Sequence, residues 1–386
     1  MKTLISTLAF ALAAVPLASC TAAPAQPAGG KAAAKAGFAI EEYGTFEEPW
    51  ALAFAPGTSV LFVTERGGKL KFVETASKRA GTVTGVPKVD YGGQGGLGDI
   101  AFLPGEASAT LARRTIYLSW AESGTDDTRG AVVGRGTLIC EEADACRIDA
   151  MQVIWRQNPK VTGRGHYSHR LLFSPDGKYL FVASGERQKF TPAQDMAGNL
   201  GKIVRLTPDG APAPGNPFAA RGGVAAEVWS LGHRNILGLH WDPRGRLWDL
   251  EHGPAGGDEL NLVAAGANYG WPVVSNGDHY DGKPIPRHAT RPDFAAPAIS
   301  WNPVIAPGGF IFYRGNAFAP WKGEAIIAGM GYEGLVRVQL AGDKAREVER
   351  IPLGKRIRAI VEGPDGAIWI AEDKSGARLR KLTPKR

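Results

Sequence analysis

An apolar strand, a tight turn rich in Pro and Gly, and a second apolar strand recur along this chain, and that repeat limits its fold more than any other feature. The six copies begin near Trp50, Leu97, Arg170, Ile236, Gly308 and Ile357. Apolar residues alternate within them, as at Leu52 and Phe54 or Leu61 and Val63, the period-two pattern of a strand. Pro-Asp-Gly turns at 175–177, 208–210 and 364–366 supply tight reversals, with Gly where a positive φ is needed. No amphipathic helix of ten residues follows the N-terminal segment. Four-stranded units repeated at this spacing predict an all-β fold, a six-bladed β-propeller of four-stranded antiparallel sheets. The spacing is uneven, so long loops separate some strands, and loops on one face carry function. The strand beginning Phe38-Ala39-Ile40 is expected to pair with Leu379 to Leu382, closing the ring and removing its edges. A pair of β-sandwiches is the alternative; recurrence of one unit to the end of the chain argues against it.

The domain therefore spans residues 38–386. Residues 1–20 read as a signal peptide: Lys2 gives a positive start, and Leu4 to Leu17 is mostly apolar but short for a bilayer span. It ends Leu17-Ala18-Ser19-Cys20, similar to a bacterial lipoprotein cleavage site, with Cys20 as the lipidated residue. An ordinary signal peptide with a stray cysteine is the other reading. Residues 21–37 are rich in Ala, Pro, Gly and Lys and read as a flexible linker. These features place the protein in the periplasm, lipid-anchored to the outer membrane. Export also favours disulfides. Cys140 and Cys146 flank a short polar loop and are expected to pair, which the chain-entropy account values at about 2 kcal/mol. The net charge of +7 comes from scattered Lys and Arg. With no basic run or interleaved aromatics, it points to an anionic ligand or the cell envelope before nucleic acid.

The chemistry-bearing residues lie at strand ends and loops of different units. His233-Arg234-Asn235 ends one strand, and an Arg-Asn pair suits a planar anion held by forked hydrogen bonds. Gly253-Pro254, just before Asp258-Glu259, can turn carbonyl oxygens toward a hard cation such as calcium. The bland counterpart is a strand-end turn and an acidic surface loop. Gln94 sits in a glycine-rich loop that permits close backbone approach, but no helix follows to make it a nucleotide site. His166 is a candidate general base, although a lone His is more often structural. Trp301 either stacks on a sugar ring or fills the core. Arg356 and Arg358, two apart on a strand, share a face and can address one anion; otherwise they form a solvated basic patch.

The segments Gly93-Gln-Gly-Gly-Leu-Gly-Asp, His166 to Leu171, Gln194 to Gly210, Trp229 to Leu239, Glu251 to Asn261, Asn268 to Pro272, Ala306 to Tyr313 and Arg356 to Gly366, in this order, resemble the soluble aldose sugar dehydrogenase family, also called the glucose/sorbosone dehydrogenase family. The resemblance covers nearly all of 38–384 and implies a six-bladed propeller that uses pyrroloquinoline quinone (PQQ) and Ca2+. By position it implies His166 as the base that takes the anomeric hydroxyl proton while hydride leaves for the quinone. Gln94 would position sugar or cofactor, and Arg234 and Asn235 would bind the quinone carbonyls, with Arg234 also stabilising charge. Arg356 and Arg358 would hold cofactor carboxylates, and the carbonyls of Gly253 and Pro254 would ligate calcium. The substrate would be an aldose oxidised at C1 to the lactone, with electrons passing to an external acceptor.

Two departures stand out. Gly331 occupies a position where the family often has a cofactor-binding lysine, a contact that Arg337 or another cation would have to replace. Ser168-His169 stand where glycines usually precede the Arg, adding bulk beside the base. Two other functions compete: a calcium-dependent lactonase-type hydrolase, for which no clear set of metal-ligating Glu, Asn and Asp side chains is visible, and a non-catalytic sugar- or ligand-binding propeller lipoprotein. Fold alone does not choose among them.

Overall fold

A computed structural model describes residues 37–385. The signal segment, Cys20 and the linker as far as residue 36 lie outside the described residues. Strands dominate because each repeat offers two or three short runs of Val, Ile, Leu, Phe and Trp, separated by turns that reverse the chain. The sheets are four of four strands each, and one of eight that consists of two four-stranded units joined at their outer edges. These are the six blades of a propeller.

Blade one comprises Pro49–Phe54, Val60–Glu65, Lys69–Glu74 and Arg79–Thr84, and blade two Leu97–Phe102, Arg113–Ser123, Arg129–Ile139 and Ala145–Arg156. Their outer strands meet in a short parallel pairing, Val83 opposite Cys146. Cys140 and Cys146 are joined beside that junction, with S–S 2.03 Å. Blade three runs from Ser168–Phe173 to Val228–Leu231, blade four from Ile236–Trp241 to Ile299–Trp301, and blade five from Pro307–Phe312 to Lys344–Pro352. Blade six takes Ile357–Glu362, Ile368–Glu372 and Ala377–Pro384 from the C-terminal end and Phe38–Phe46 from the N-terminal end. In that closure Phe38 lies opposite Pro384 and Ile40 opposite Leu382, so the N-terminal strand completes the blade that the C-terminal strands begin.

The first strand of each repeat is innermost, and neighbouring first strands pack around a central channel. Apolar side chains fill the spaces between blades, as with Leu61, Val63, Trp369 and Leu379 between blades one and six. Arg170 closes the channel partway. Its guanidinium donates to the carbonyls of Leu237 (2.6 Å) and Gly308 (2.7 Å) and lies 3.9 Å over the Trp50 ring. Asp99 accompanies it at 3.4 Å, so the buried charge is partnered. This plug forms a floor, and the loops above it form a bowl.

Candidate active site

The bowl has a cavity of about 280 Å³ lined by residues from five blades and their connecting loops, among them Arg66, Gln94, Asn235, His252, Arg356 and Arg358. Two positions in the repeat recur in the lining. One is the start of each innermost strand, which gives Ser168, Asn235 and Arg356; the other is the residue just after the second strand, which gives Arg66, His252 and Met330.

His166 precedes the innermost strand of blade three. Its backbone N–H donates to Gln94 Oε1 at 2.8 Å, which ties His166 to the glycine-rich loop on the cavity wall. Its Nδ1 is paired with Glu186 Oε1. A neutral ring that donates from Nδ1 keeps its lone pair on Nε2, the form a proton acceptor needs. Burial lowers the His166 pKa, as do the charges of Arg234 and Arg187, while Glu186 opposes the shift; the net direction favours the uncharged ring. Burial also works against the Glu186 charge, but His166 and the Phe190 N–H outweigh it and hold its pKa low. The backbone here is strained: His166, Ser168 and His169 have φ of 47°, 58° and 51°, which side-chain-bearing residues seldom adopt.

Arg234 lies in the short loop between the last strand of blade three and the first of blade four. Its N–H donates to Glu251 Oε2 at 2.6 Å, and its guanidinium donates to the carbonyls of Gly253 (2.7 Å) and His252 (3.1 Å). Its Nε is buried with no partner, a donor left for a ligand. Glu251 belongs to a buried polar cluster beneath Arg234. His233 Nδ1 lies 3.2 Å from Glu251 and 3.3 Å from Asp249, and Asn261 donates to both carboxylates. Burial, and after it the Glu251 charge, pushes Asp249 and Glu259 well above the usual carboxylate range.

Arg356 and Arg358 are held by one carboxylate. Each donates its Nε to Asp373, at 2.8 and 2.9 Å, and both line the cavity. Burial lowers the Arg358 pKa, a cost that a bound anion would relieve. Arg66 is a further guanidinium on the cavity wall, and its Nε is also unpartnered.

Gln94, Asn235, Arg356 and Arg358 thus face one cavity, and His166 and Arg234 adjoin it. Trp301 does not. It is 4% exposed, packs with Trp248 and Phe312, and donates its indole N–H to Glu347 on the outermost strand of blade five. It fills the core, because its position ends the outermost strand of blade four rather than an innermost one. Arg337 is also remote, paired with Glu324 and Glu349 and set over Trp321. Arg66, not Arg337, is the extra cavity cation. Gly331 has Ile305 and Ala306 atoms 3.1 to 3.2 Å from where a Cβ would stand, so a side chain there needs a local shift. The bulk of His169 is accommodated by Gly98, since a Cβ at Gly98 would lie 2.0 Å from the His169 ring.

The donor set of the cavity fits a planar polycarboxylate: Arg66, Arg356 and Arg358 line it, Arg66 Nε is buried without a partner, and Asp373 is the carboxylate pairing the other two. For calcium, the chain offers the neutral carbonyls of Gly253 and Pro254, and Arg234 already donates to the first. A hard cation takes six to eight oxygens. These carbonyls fit such an ion only with ligand oxygens beside them.

The family model described as Glucose / Sorbosone dehydrogenase matches residues 46–381. The aldose sugar dehydrogenase YliI of Escherichia coli K12 is 37% identical over 347 residues, 88% of this chain and 91% of that protein. The crystal structure of the soluble aldose sugar dehydrogenase from Escherichia coli in its apo-form superposes with a TM-score of 0.81 at 35% identity, over 90% of this chain and 100% of that one. The PQQ-bound form of the aldose sugar dehydrogenase from Streptomyces coelicolor does so with a TM-score of 0.69 at 26% identity, over 90% and 98%.

Proposed function

The chain belongs to the glucose/sorbosone dehydrogenase family, and we propose that within it the protein oxidises aldoses at C1 to the lactone with PQQ and calcium. The observation that carries this reading is the carboxylate-held His166 beside a guanidinium-lined cavity. A hydrolase would not need that concentration of cations, and a passive binding propeller would not need an oriented base.

When bound, PQQ supplies the acceptor for the two electrons and hydrogen that leave C1 as hydride. Everything else falls to the protein. His166 Nε2 takes the proton of the anomeric hydroxyl, which lets the C1–O bond become the lactone carbonyl as C1 loses hydride. Glu186 keeps the ring in the required tautomer and stabilises the imidazolium that forms, the task of the carboxylate in a Ser-His-Asp triad. Gln94 holds the His166 backbone and lines the cavity. Arg356 and Arg358 would hold cofactor carboxylates in forked pairs, while Arg234 and Asn235 would face its carbonyls, with Arg234 placed to offset developing negative charge. The carbonyls of Gly253 and Pro254 would contribute to a calcium site completed by the cofactor. The N-terminal pattern ending at Cys20 supports a lipid-anchored periplasmic location.

Reconstitution of the purified chain with PQQ and Ca2+, followed by dye reduction with a panel of aldoses, tests the reading; no turnover with any aldose would reject it. The arginine roles have a readout separate from turnover. Arg358→Ala should weaken PQQ binding in a spectral titration by at least roughly tenfold, the loss expected for one charged hydrogen-bonding partner. Unchanged affinity would remove Arg358 from the cofactor site.

A further inference from the structure

The face opposite the bowl carries a feature that the proposed chemistry does not use. Innermost strands start at the bowl, so the turn between the first and second strands of a blade lies at the other end of the channel. In blades three and six that turn is short and polar, with Asp176 in one and Asp365 in the other. In blade five it is a long loop, residues 313–324. From Gly315 to Trp321 this loop reads Gly-Asn-Ala-Phe-Ala-Pro-Trp, with no charge. Ala317, Ala319 and Pro320 are exposed, Trp321 is half-buried, and Phe318 is buried.

The loop is braced from within. Phe318 and Trp321 stack with ring centroids 4.5 Å apart, the Arg337 guanidinium lies 4.8 Å from the Trp321 ring, and the Phe318 N–H donates to the Tyr313 hydroxyl at 2.9 Å. An apolar stretch presented in a fixed shape marks a contact surface. Exposed cations surround it. Arg314 and Lys322 flank the stretch, and Arg244 and Lys322 line one cavity of about 310 Å³. Arg314 donates to the carbonyls of Trp241 (2.8 Å) and Asp242 (3.4 Å), and Lys322 to Asn316 Oδ1 (3.1 Å), so neutral oxygens hold both side chains. Elsewhere on this face the turn between the last two strands of blade two is acidic, with Glu141, Glu142 and Asp144. Apolar surface and positive charge therefore coincide in one sector.

The described chain begins in that sector. Gly37, Phe38 and Pro384 line an apolar groove of about 580 Å³ together with Phe318, Trp321 and Pro352, and Phe38 meets Phe318 edge-on at 6.4 Å. Residues 21–36 connect this groove to Cys20, a stretch that reaches at most roughly 55 Å. A lipid on Cys20 would thus turn this face, and not the bowl, toward the membrane.

We propose that the 313–324 loop and the basic residues around it form a docking surface for an anionic phospholipid bilayer, which leaves the bowl facing away from the membrane. Such docking requires neither the reaction assigned to the bowl nor lipidation at Cys20. A Trp beside small apolar side chains, ringed by Lys and Arg, suits the boundary between acyl chains and negatively charged headgroups. Each Lys or Arg near that boundary adds an attraction that salt screens. One loop is far short of the area that a stable protein interface buries, so a protein partner fits less well.

The test uses the chain from Thr21 onward, which contains every described residue and lacks Cys20. It should cosediment with vesicles of phosphatidylglycerol and phosphatidylethanolamine at low ionic strength, bind phosphatidylcholine vesicles roughly tenfold less, and release as salt is added. Ala319→Asp, and the pair Arg244→Glu with Lys322→Glu, should each weaken binding to the anionic vesicles by roughly tenfold. All three residues are exposed, so these changes leave the core intact. Brominated acyl chains should quench tryptophan fluorescence, and Trp321→Phe should remove most of that quenching. Equal binding to both kinds of vesicle, or to neither, overturns the proposal. So does binding that the charge reversals weaken but Ala319→Asp leaves unchanged, because the loop then plays no part. If the chain ignores vesicles and instead associates with itself until Ala319→Asp is introduced, the surface is a protein interface and the bilayer assignment fails.

Discussion

Glu186 is the residue on which the proposed chemistry turns, because its two oxygens hold the base and the Phe190 backbone. Replacing it with Gln keeps the size but removes the charge that fixes the His166 tautomer. Glu186→Gln should lower kcat roughly hundredfold, within the range that general-base catalysis contributes. The pH dependence has a defined sign. Burial lowers the His166 pKa, so the acid limb of kcat/KM should lie below the 6.5 of a free imidazole. Glu186 raises that pKa, so Glu186→Gln should move the limb further toward acid. A limb at or above the free value would show a base in a different setting. At this scale the sequence made placement legible where a residue stands at a strand end, as for Arg356 and Arg358, which line the cavity, and His166, which adjoins it. For Trp301 the sequence leaves open a sugar contact or the core, because an aromatic at the end of an outermost strand looks, in one dimension, like one at the mouth; it fills the core.

The innermost strands set the second scale. Ser168–Phe173 carries His169 and Arg170 into the channel, and Leu97–Phe102 makes room for them with Gly98. A methyl group at Gly98 would overlap the buried His169 ring, which also touches Ser119 and Trp50. Gly98→Ala should therefore destabilise the protein by about 1–3 kcal/mol, the usual cost of overpacking a core, measured by chemical denaturation. A neutral result would mean that the floor has slack. The strands themselves were legible from period-two alternation and their turns. Arg66 and His252 were not singled out, although their signal is present: both directly follow the second strand of a repeat, the position that Asp373 occupies in blade six. Aligning the repeats on their strand ends, rather than seeking motifs, would have brought them forward. The Asp249–Glu251–His233 cluster has no such signal, since its members meet only through burial and cross-strand pairing.

For the whole molecule, closure decides whether the bowl exists. The strand Phe38–Phe46 pairs with Ala377–Pro384 to complete blade six, so deleting residues 377–386 should open the ring and expose two sheet edges. The expected outcome is loss of cooperative thermal unfolding and of soluble monomer; a truncated chain that melts like the full one would contradict the closure argument. The ring and its blade count were legible because one unit recurs from Trp50 to the C-terminus. The depth of the bowl was not, since it depends on the Arg170 plug, whose partners Leu237 and Gly308 lie on two other blades. All three scales converge on His166, and one comparison tests it. With PQQ and Ca2+ supplied, aldose-dependent dye reduction by His166→Ala should fall at least roughly hundredfold below that of the unmodified chain, while PQQ affinity stays the same. Equal turnover in the two proteins would contradict the account at its centre.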